Sequence, residues 1–451
     1  MDTILTKSVS VLGAALLLGV NVISAAREES KAPDDARLTW RQSIDRPMIA
    51  KQGQSEKVVI KIEIEGGKVP SGDRMPLNLA VVLDRSGSMS GAKLEQAKQA
   101  AMLLVDQLDE EDVFSLVVYE TEVEVVFPAA RLGNRKSEIK RCIRQIETGG
   151  STALYGGVES GGRQLQEFLS KNRINRVMLL SDGIANVGPS SNREIATLGT
   201  TLARKGMSVT TIGLGDDYNE TLMTALAEAS DANYYYVADV EKLPDVFRKE
   251  LGELKAIVAR DIEIRIECPE GVRPLRFLGR PEELKSKKES IRFATLSSEQ
   301  TRELYLECEI EKEAVGKISE IAIVSISSDT DADKGSAPVV VGYTEDVKIA
   351  ESTVNRDVMA EAIVWRNAME TERSVALADQ GNIAASRANF ASQKAALQSA
   401  LAAAPAAQKE ELADQIQSVE EAEAGLGSDG LSKQARKKLT NETYQFRNSK
   451  K

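Results

Sequence analysis

The sequence predicts an α/β fold, a doubly wound sheet of six strands inserted in or followed by a β-sandwich and completed by a C-terminal α-helical hairpin. Three observations predict it. Strand-like and helix-like segments alternate from Leu77 to Glu250, the pattern of a parallel sheet covered by helices. From Val258 to Val347 the helical period vanishes and short alternating strands follow one another. From Ser352 onward the chain is rich in Ala, Glu, Gln and Lys, with apolar residues at helical spacing.

At the start, Lys7 is followed by the uncharged run Ser8 to Ala26, which ends in small residues before Arg27. Residues 1–26 therefore read as a signal peptide cleaved near Arg27, the alternative being an uncleaved N-terminal membrane anchor. That reading makes the protein exported, periplasmic or secreted, with no direct membrane binding after signal removal. Residues 27–37 are a charged tether. Residues 38–75 hold the first strands of the sandwich, most plainly in the alternation Val58-Val59-Ile60-Lys61-Ile62-Glu63-Ile64.

The α/β domain spans 76–255. Its first strand, Leu77 to Leu83, is a continuous apolar run of the kind a central strand shows. A helix from Lys93 to Leu108 follows. Val113–Tyr119 and Glu122–Phe127 are too close for a crossover helix, so they form a hairpin that puts one antiparallel strand at the sheet edge. Then come helices Ser137–Ile146 and Leu154–Leu169, strand Arg176–Leu180 and helix Glu194–Arg204. Strand Ser208–Leu214, helix Glu220–Ala229, strand Tyr234–Val237 and helix Leu243–Gly252 complete it. Residues 256–350 return to strands, clearest at Asp261–Glu267, Glu303–Ile310 and Ile321–Ile326. Because the early strands need partners, the α/β domain is expected to be inserted into the sandwich. Residues 352–451 form the helical tail. Ala362, Trp365 and Met369 share one stripe, and a second helix starts near Pro405. The tail reads as a solvated stalk in preference to a tetratricopeptide-like unit.

Composition excludes several function classes. A net charge of −11 repels nucleic acid and anionic membranes. The absence of histidine removes Ser-His nucleophile activation and most zinc chemistry. Of the three cysteines, Cys268 and Cys308 lie on strand-like segments of one region and are the expected couple if two of them pair, leaving Cys142.

The first strand ends in Asp84-Arg85-Ser86-Gly87-Ser88-Met89-Ser90, and ligands of doubly wound sheets sit at the carboxyl ends of strands. Asp84 supplies charge, Ser86 and Ser88 supply hydroxyl oxygens, and Gly87 permits a tight loop. A later strand ends in Ser181-Asp182-Gly183, and Gly149-Gly150-Ser151-Thr152 adds hydroxyls before a helix. Hard oxygen donors of this kind suit magnesium, manganese or calcium.

These three segments, in this order, resemble the metal-ion-dependent adhesion site of von Willebrand factor type A domains. The resemblance covers about residues 76–255, and Ile212-Gly213-Leu214-Gly215-Asp216-Asp217-Tyr218-Asn219 is similar to bacterial members. It implies a Rossmann-like sheet and one divalent cation, magnesium first, with manganese or calcium as alternatives. Asp84, Ser86, Ser88, Thr152 and Asp182 would be its ligands, with Ser151 a substitute for Thr152. It implies metal-dependent protein binding, in which an Asp or Glu of the partner completes the coordination. The alternative is a structural scaffold whose metal staples the loops while the tail binds partners. No enzymatic activity is expected. Ser86 stands where an aspartyl-phosphate enzyme needs a second Asp, and Lys93, the one candidate base for a serine hydrolase, reads as a solvated helix lysine.

Overall fold

The computed structural model describes residues 37–50, 55–68, 74–280, 283–311, 313–329 and 334–447, so the expected signal peptide at 1–26 lies outside the described residues. Strands β1 (Leu38–Ile44), β2 (Met48–Ala50) and β3 (Ser55–Gly66) come first. In β3 the apolar residues Val58, Ile60, Ile62 and Ile64 are buried, as the period of two requires of a strand facing a core.

The next segment gives β4 (Leu77–Asp84), α1 (Ala92–Gln107), β5 (Val113–Tyr119), β6 (Val123–Arg131), α2 (Lys136–Arg144) and α3 (Leu154–Gln166). It continues with β7 (Ile174–Ser181), α4 (Asn192–Arg204), β8 (Ser208–Leu214), α5 (Glu220–Ala229), β9 (Tyr234–Val237) and α6 (Leu243–Lys255). Their sheet has the order β6-β5-β4-β7-β8-β9, parallel except for the antiparallel edge strand β6. All eight residues of β4 are buried because helices cover both faces. One face packs Leu79, Val81 and Leu83 with α1 and α6, and the other packs Ala80 and Val82 with α3, α4 and α5.

After α6 come β10 (Ile257–Glu267), β11 (Val272–Phe277), β12 (Lys288–Ser297), β13 (Thr301–Glu311), β14 (Ile318–Ser327) and β15 (Gly335–Thr344). They form two sheets together with the early strands, in the orders β1-β3-β13-β11 and β12-β10-β14-β15-β2, around one shared core. β3 pairs antiparallel with β13 from Ser55↔Glu311 to Glu65↔Thr301, and β2 runs parallel to β15. The α/β unit thus lies between strands that pair with one another.

The tail holds more helix than a hairpin: α7 (Val347–Ser352), α8 (Arg356–Asp379), α9 (Ile383–Ala403), α10 (Lys409–Ala424) and α11 (Lys433–Arg447). It is no stalk. Phe390, Leu397, Leu412, Val419 and Leu439 form a core of their own, while Trp365 of α8 packs on Val59, Leu278 and Tyr305 of the sandwich. Among the described residues no helix is long and apolar enough to cross a membrane. Cys268 and Cys308 are brought into hydrogen-bond contact but stand as free thiols, as does Cys142.

Candidate metal centre

Asp84 and Ser181 end the adjacent parallel strands β4 and β7, whose register pairs Leu83 with Leu180. This puts the next carboxylate, Asp182, beside Asp84 at the carboxyl edge of the sheet. The Ser181 hydroxyl donates to Asp84 Oδ2 at 2.7 Å, and the Ser86 amide donates to Asp84 Oδ1 at 2.8 Å. A turn of 3₁₀ helix, Gly87–Met89, then carries Ser88 back over the sheet. Ser86 Oγ and Ser88 Oγ lie 3.1 Å apart, and Ser88 Oγ donates to Asp182 Oδ1 at 2.7 Å.

The third segment is stitched to the first two by backbone. Gly87 N donates to Gly150 O at 3.2 Å and Gly149 N to Arg85 O at 2.9 Å. Gly150 has φ +61°, and a Cβ there would collide with Glu120 and Thr121, so the loop needs glycine at this point. Thr152 N donates to Asn186 Oδ1 at 2.8 Å, and Thr152 O accepts from the Asn186 and Val187 amides. The convergence shows at Gly183, where a Cβ would lie 3.2 Å from Thr152 Oγ1 and 3.5 Å from Ser88 Oγ. Asp84, Ser86, Ser88, Thr152 and Asp182 therefore surround one small volume. The Ser151 amide donates to Thr121 Oγ1 at 3.0 Å.

Electrostatics and donor chemistry both suit a hard divalent cation. Asp84 and Asp182 are fully buried, whereas Ser88 is exposed and opens the volume to solvent. Burial pushes the Asp84 carboxyl above its usual range and the neighbouring Asp182 charge adds to this, although bonds from Ser86 and Ser181 pull the other way. A divalent ion would relieve that desolvated like-charge pair. Every donor is a carboxylate or hydroxyl oxygen, which fits magnesium, manganese or calcium better than zinc or copper. Among the described residues no three acidic, Cys or His side chains are placed to hold a metal ion, so a metal site here must rest on hydroxyls as well as carboxylates.

The roles of three supporting residues escaped the sequence reading. Ser181 and Asn186 act through long-range hydrogen bonds that no local spacing announces. Lys93, expected to be a solvated lysine, instead donates from Nζ to Asp182 Oδ2 at 2.5 Å. It is the second residue of α1, in the helix's first turn, just after the Asp84 loop. Its neighbourhood on the other side is the loop after β8, since a Cβ on Gly215 would lie 3.9 Å from Lys93 Nζ.

The von Willebrand factor type A domain family matches residues 78–249. Among curated relatives, YfbK of Escherichia coli (strain K12) is 29% identical over 227 residues, covering 50% of this chain and 39% of that protein. The rat inter-alpha-trypsin inhibitor heavy chain H3 is 28% identical over 160 residues, covering 34% of this chain and 18% of that one. The chain thus spans less than half the length of these relatives. A solved structure, the von Willebrand factor type A protein from Catenulispora acidiphila, superposes with a TM-score of 0.68 at 15% identity. It covers 92% of this chain and 98% of the other, so the likeness in fold extends beyond the six-stranded sheet to the surrounding strands and helices. Within that larger architecture, residues 78–249 match the von Willebrand factor type A domain family and have its fold, a six-stranded, mostly parallel sheet flanked by helices.

Proposed function

We propose that the protein is an extracytoplasmic, metal-dependent protein-binding module and not an enzyme. One divalent cation, magnesium first and manganese or calcium as alternatives, is held by Asp84, Ser86, Ser88, Thr152 and Asp182. An Asp or Glu of a protein partner completes its coordination. The observation that carries this reading is the convergence of three chain segments, all oxygen donors, on a volume walled by buried carboxylates and open to solvent at Ser88. Domains of this family commonly mediate protein–protein interaction, which supports the reading. The signal-like start of the sequence supports the extracytoplasmic placement. With two carboxylates and three hydroxyls the ion keeps room for a further ligand, and an acidic side chain is the natural one for a hard cation.

A second reading has its own observation. Helix α11 binds the loop after β8 and the start of α5, with Lys433 on Asp217 at 2.9 Å and Lys437 on Glu220 at 2.6 Å, so the helical region reaches the carboxyl edge of the sheet. In that scaffold reading the metal staples the loops and the helices bind the partner.

Replacing Asp84 with Ala is expected to abolish divalent-ion binding measured by calorimetry while leaving the circular dichroism spectrum unchanged. Pulldown from an envelope extract, with and without chelator, separates the two readings. Loss of partners on chelation and in the Asp84→Ala protein supports metal-dependent recognition. Full retention of partners by that variant supports the scaffold. Unchanged metal affinity in Asp84→Ala removes the site.

A further inference from the structure

Asp182 has no exposed surface, and both of its oxygens are engaged. Oδ1 accepts from the Ser88 hydroxyl at 2.7 Å, and Oδ2 accepts from the Lys93 ammonium at 2.5 Å. Lys93 is itself only partly exposed, at 29% of its side chain, so the pair is shielded from bulk water on the Asp182 side. Other acidic groups near this ammonium compete poorly for it. Asp217 is exposed and already paired with Lys433 at 2.9 Å, which together with weaker help from Lys93 holds its carboxyl low. Arg85, the other cation of the loop, is turned toward Glu120 and Glu124 at 3.8 and 3.4 Å. Lys93 is therefore the cation that bears on the paired carboxylates.

We propose that Lys93 is a built-in counter-charge that lowers the affinity of the site for the metal alone and reserves the loaded site for an anionic ligand. This rests on the metal-site reading above and adds to it a rule for how metal and partner bind together. Asp84 and Asp182 bring two negative charges and Lys93 returns one positive charge. A divalent ion placed among two unopposed carboxylates would give a neutral centre, to which a partner's carboxylate is not drawn by charge. With Lys93 in place the loaded centre carries a net positive charge. The free protein would then hold the ion weakly, because Lys93 and the ion would share Asp182 as counter-charge, and partial burial would keep their repulsion from being fully screened. A carboxylate arriving from the partner cancels the surplus. It must then strengthen metal binding by the same factor by which the metal strengthens carboxylate binding. Lys93 is thus a positioning residue that acts through Asp182, and its effect follows its charge more than its shape.

The test uses the full chain with Mn2+ as the metal and acetate as the carboxylate probe. Metal affinity is read by calorimetry and by the water-proton relaxation of the bound ion. Lys93→Gln and Lys93→Met are expected to bind Mn2+ about tenfold or more tightly than the unaltered protein, whereas Lys93→Arg, which keeps the charge, is expected to match it. Acetate should tighten Mn2+ binding in the unaltered protein and in Lys93→Arg, and lose most of that effect in the two neutral variants. Two neutral variants of different shape, both checked by circular dichroism, separate charge from packing. Metal affinity in the neutral variants equal to or weaker than that of the unaltered protein, with Asp84→Ala still inactive in binding, overturns the role of Lys93 and leaves the site standing. Absence of Mn2+ binding in the unaltered protein and the neutral variants alike overturns both. Binding that emerges only in the neutral variants supports the counter-charge in its strongest form.

Discussion

Buried acidic residues in this chain meet different fates according to what faces them. Glu220 is answered by Arg436 and Lys437, and Asp182 by Lys93. Asp45 is held mainly by backbone. Its Oδ1 accepts from Val59 N at 2.8 Å, while the Arg46 guanidinium is no nearer than 3.7 Å. Burial therefore dominates and raises its carboxyl from 3.8 to about 6, against the Val59 bond and the pull of Arg46 and Arg366. The sign follows from linkage: a folded-state value above the unfolded one means that the folded protein binds the proton more tightly. Stability associated with Asp45 is thus highest below pH 4 and is lost as pH rises through 6. Asp45→Asn keeps the Oδ1 acceptor and drops the charge. It is expected to stabilise the protein at pH 7 by about 1–3 kcal/mol, with the gain vanishing near pH 4. Urea unfolding of both proteins at the two pH values checks this, and a gain that persists unchanged at pH 4 would point to packing and away from ionisation.

At the scale of elements, the Cys268 and Cys308 thiols join the segment after β10 to β13, across the two sheets of the sandwich. The contact splits their acidities: the Cys308 hydrogen bond lowers Cys268, and Cys308 is raised by the same bond and by burial. A disulfide here would close a loop of about 40 residues, and chain-entropy reasoning puts its stabilisation at roughly 4 kcal/mol as an upper value. Mild oxidation is expected to remove the two thiols of Cys268 and Cys308 while Cys142 still reacts, and to raise the midpoint of unfolding. Thiol titration with peptide mapping reads the pairing directly. The adjacency was legible because both residues lie on strand-like segments of one region. Other elements were legible to the degree that their burial was local. β4 and β7 are buried on both faces and show as apolar runs, Leu79 to Leu83 and Val177 to Leu180. β15 holds Pro338 and Gly342 among its strand residues and shows no strict alternation, and β2 is three residues long. The Asp84, Thr152 and Asp182 segments were readable because each is a short local motif. Lys93 was not, because its partner lies 89 residues away and a helix lysine is ordinarily solvated.

Across the whole molecule the element that sequence hid most is α11. Its composition, Lys433-Gln-Ala-Arg-Lys-Lys-Leu-Thr-Asn-Glu-Thr-Tyr-Gln-Phe-Arg447, is that of an exposed helix, yet it belongs to two cores at once. Leu439 packs with Phe390, Leu397 and Leu412 of the helical region, and Tyr444 packs with Val209, Leu226 and Tyr234 of the α/β domain. The same helix finishes the open edge of the sheet. Asn441 Oδ1 accepts from Tyr236 N at 3.3 Å and Gln445 Nε2 donates to Tyr234 O at 2.6 Å, so side chains occupy hydrogen-bonding positions that a seventh strand would take beside β9. Tyr444 itself is edge-on to Tyr234 at 5.5 Å and donates to Ala232 O at 2.7 Å. One residue before Ala232, Asp231 clasps the sandwich, accepting from Ala294 N and from Arg302 Nη1. The α/β domain is thus held by both of its neighbours, and one cooperative unfolding transition is expected for the chain. Tyr444→Ala removes a buried ring and leaves the Ala232 carbonyl without its donor, a loss of about 3–5 kcal/mol for an aromatic truncated in a core. Because that loss falls on the junction, it should do more than shift the midpoint: the helical region, which keeps its own apolar core, should melt separately from the α/β domain. Scanning calorimetry showing two transitions in Tyr444→Ala and one in the unaltered protein is the expected result. A single transition merely displaced to lower temperature would mean that the Asp231 clasp and the contacts of α8 with the sandwich are enough to unify the molecule without α11.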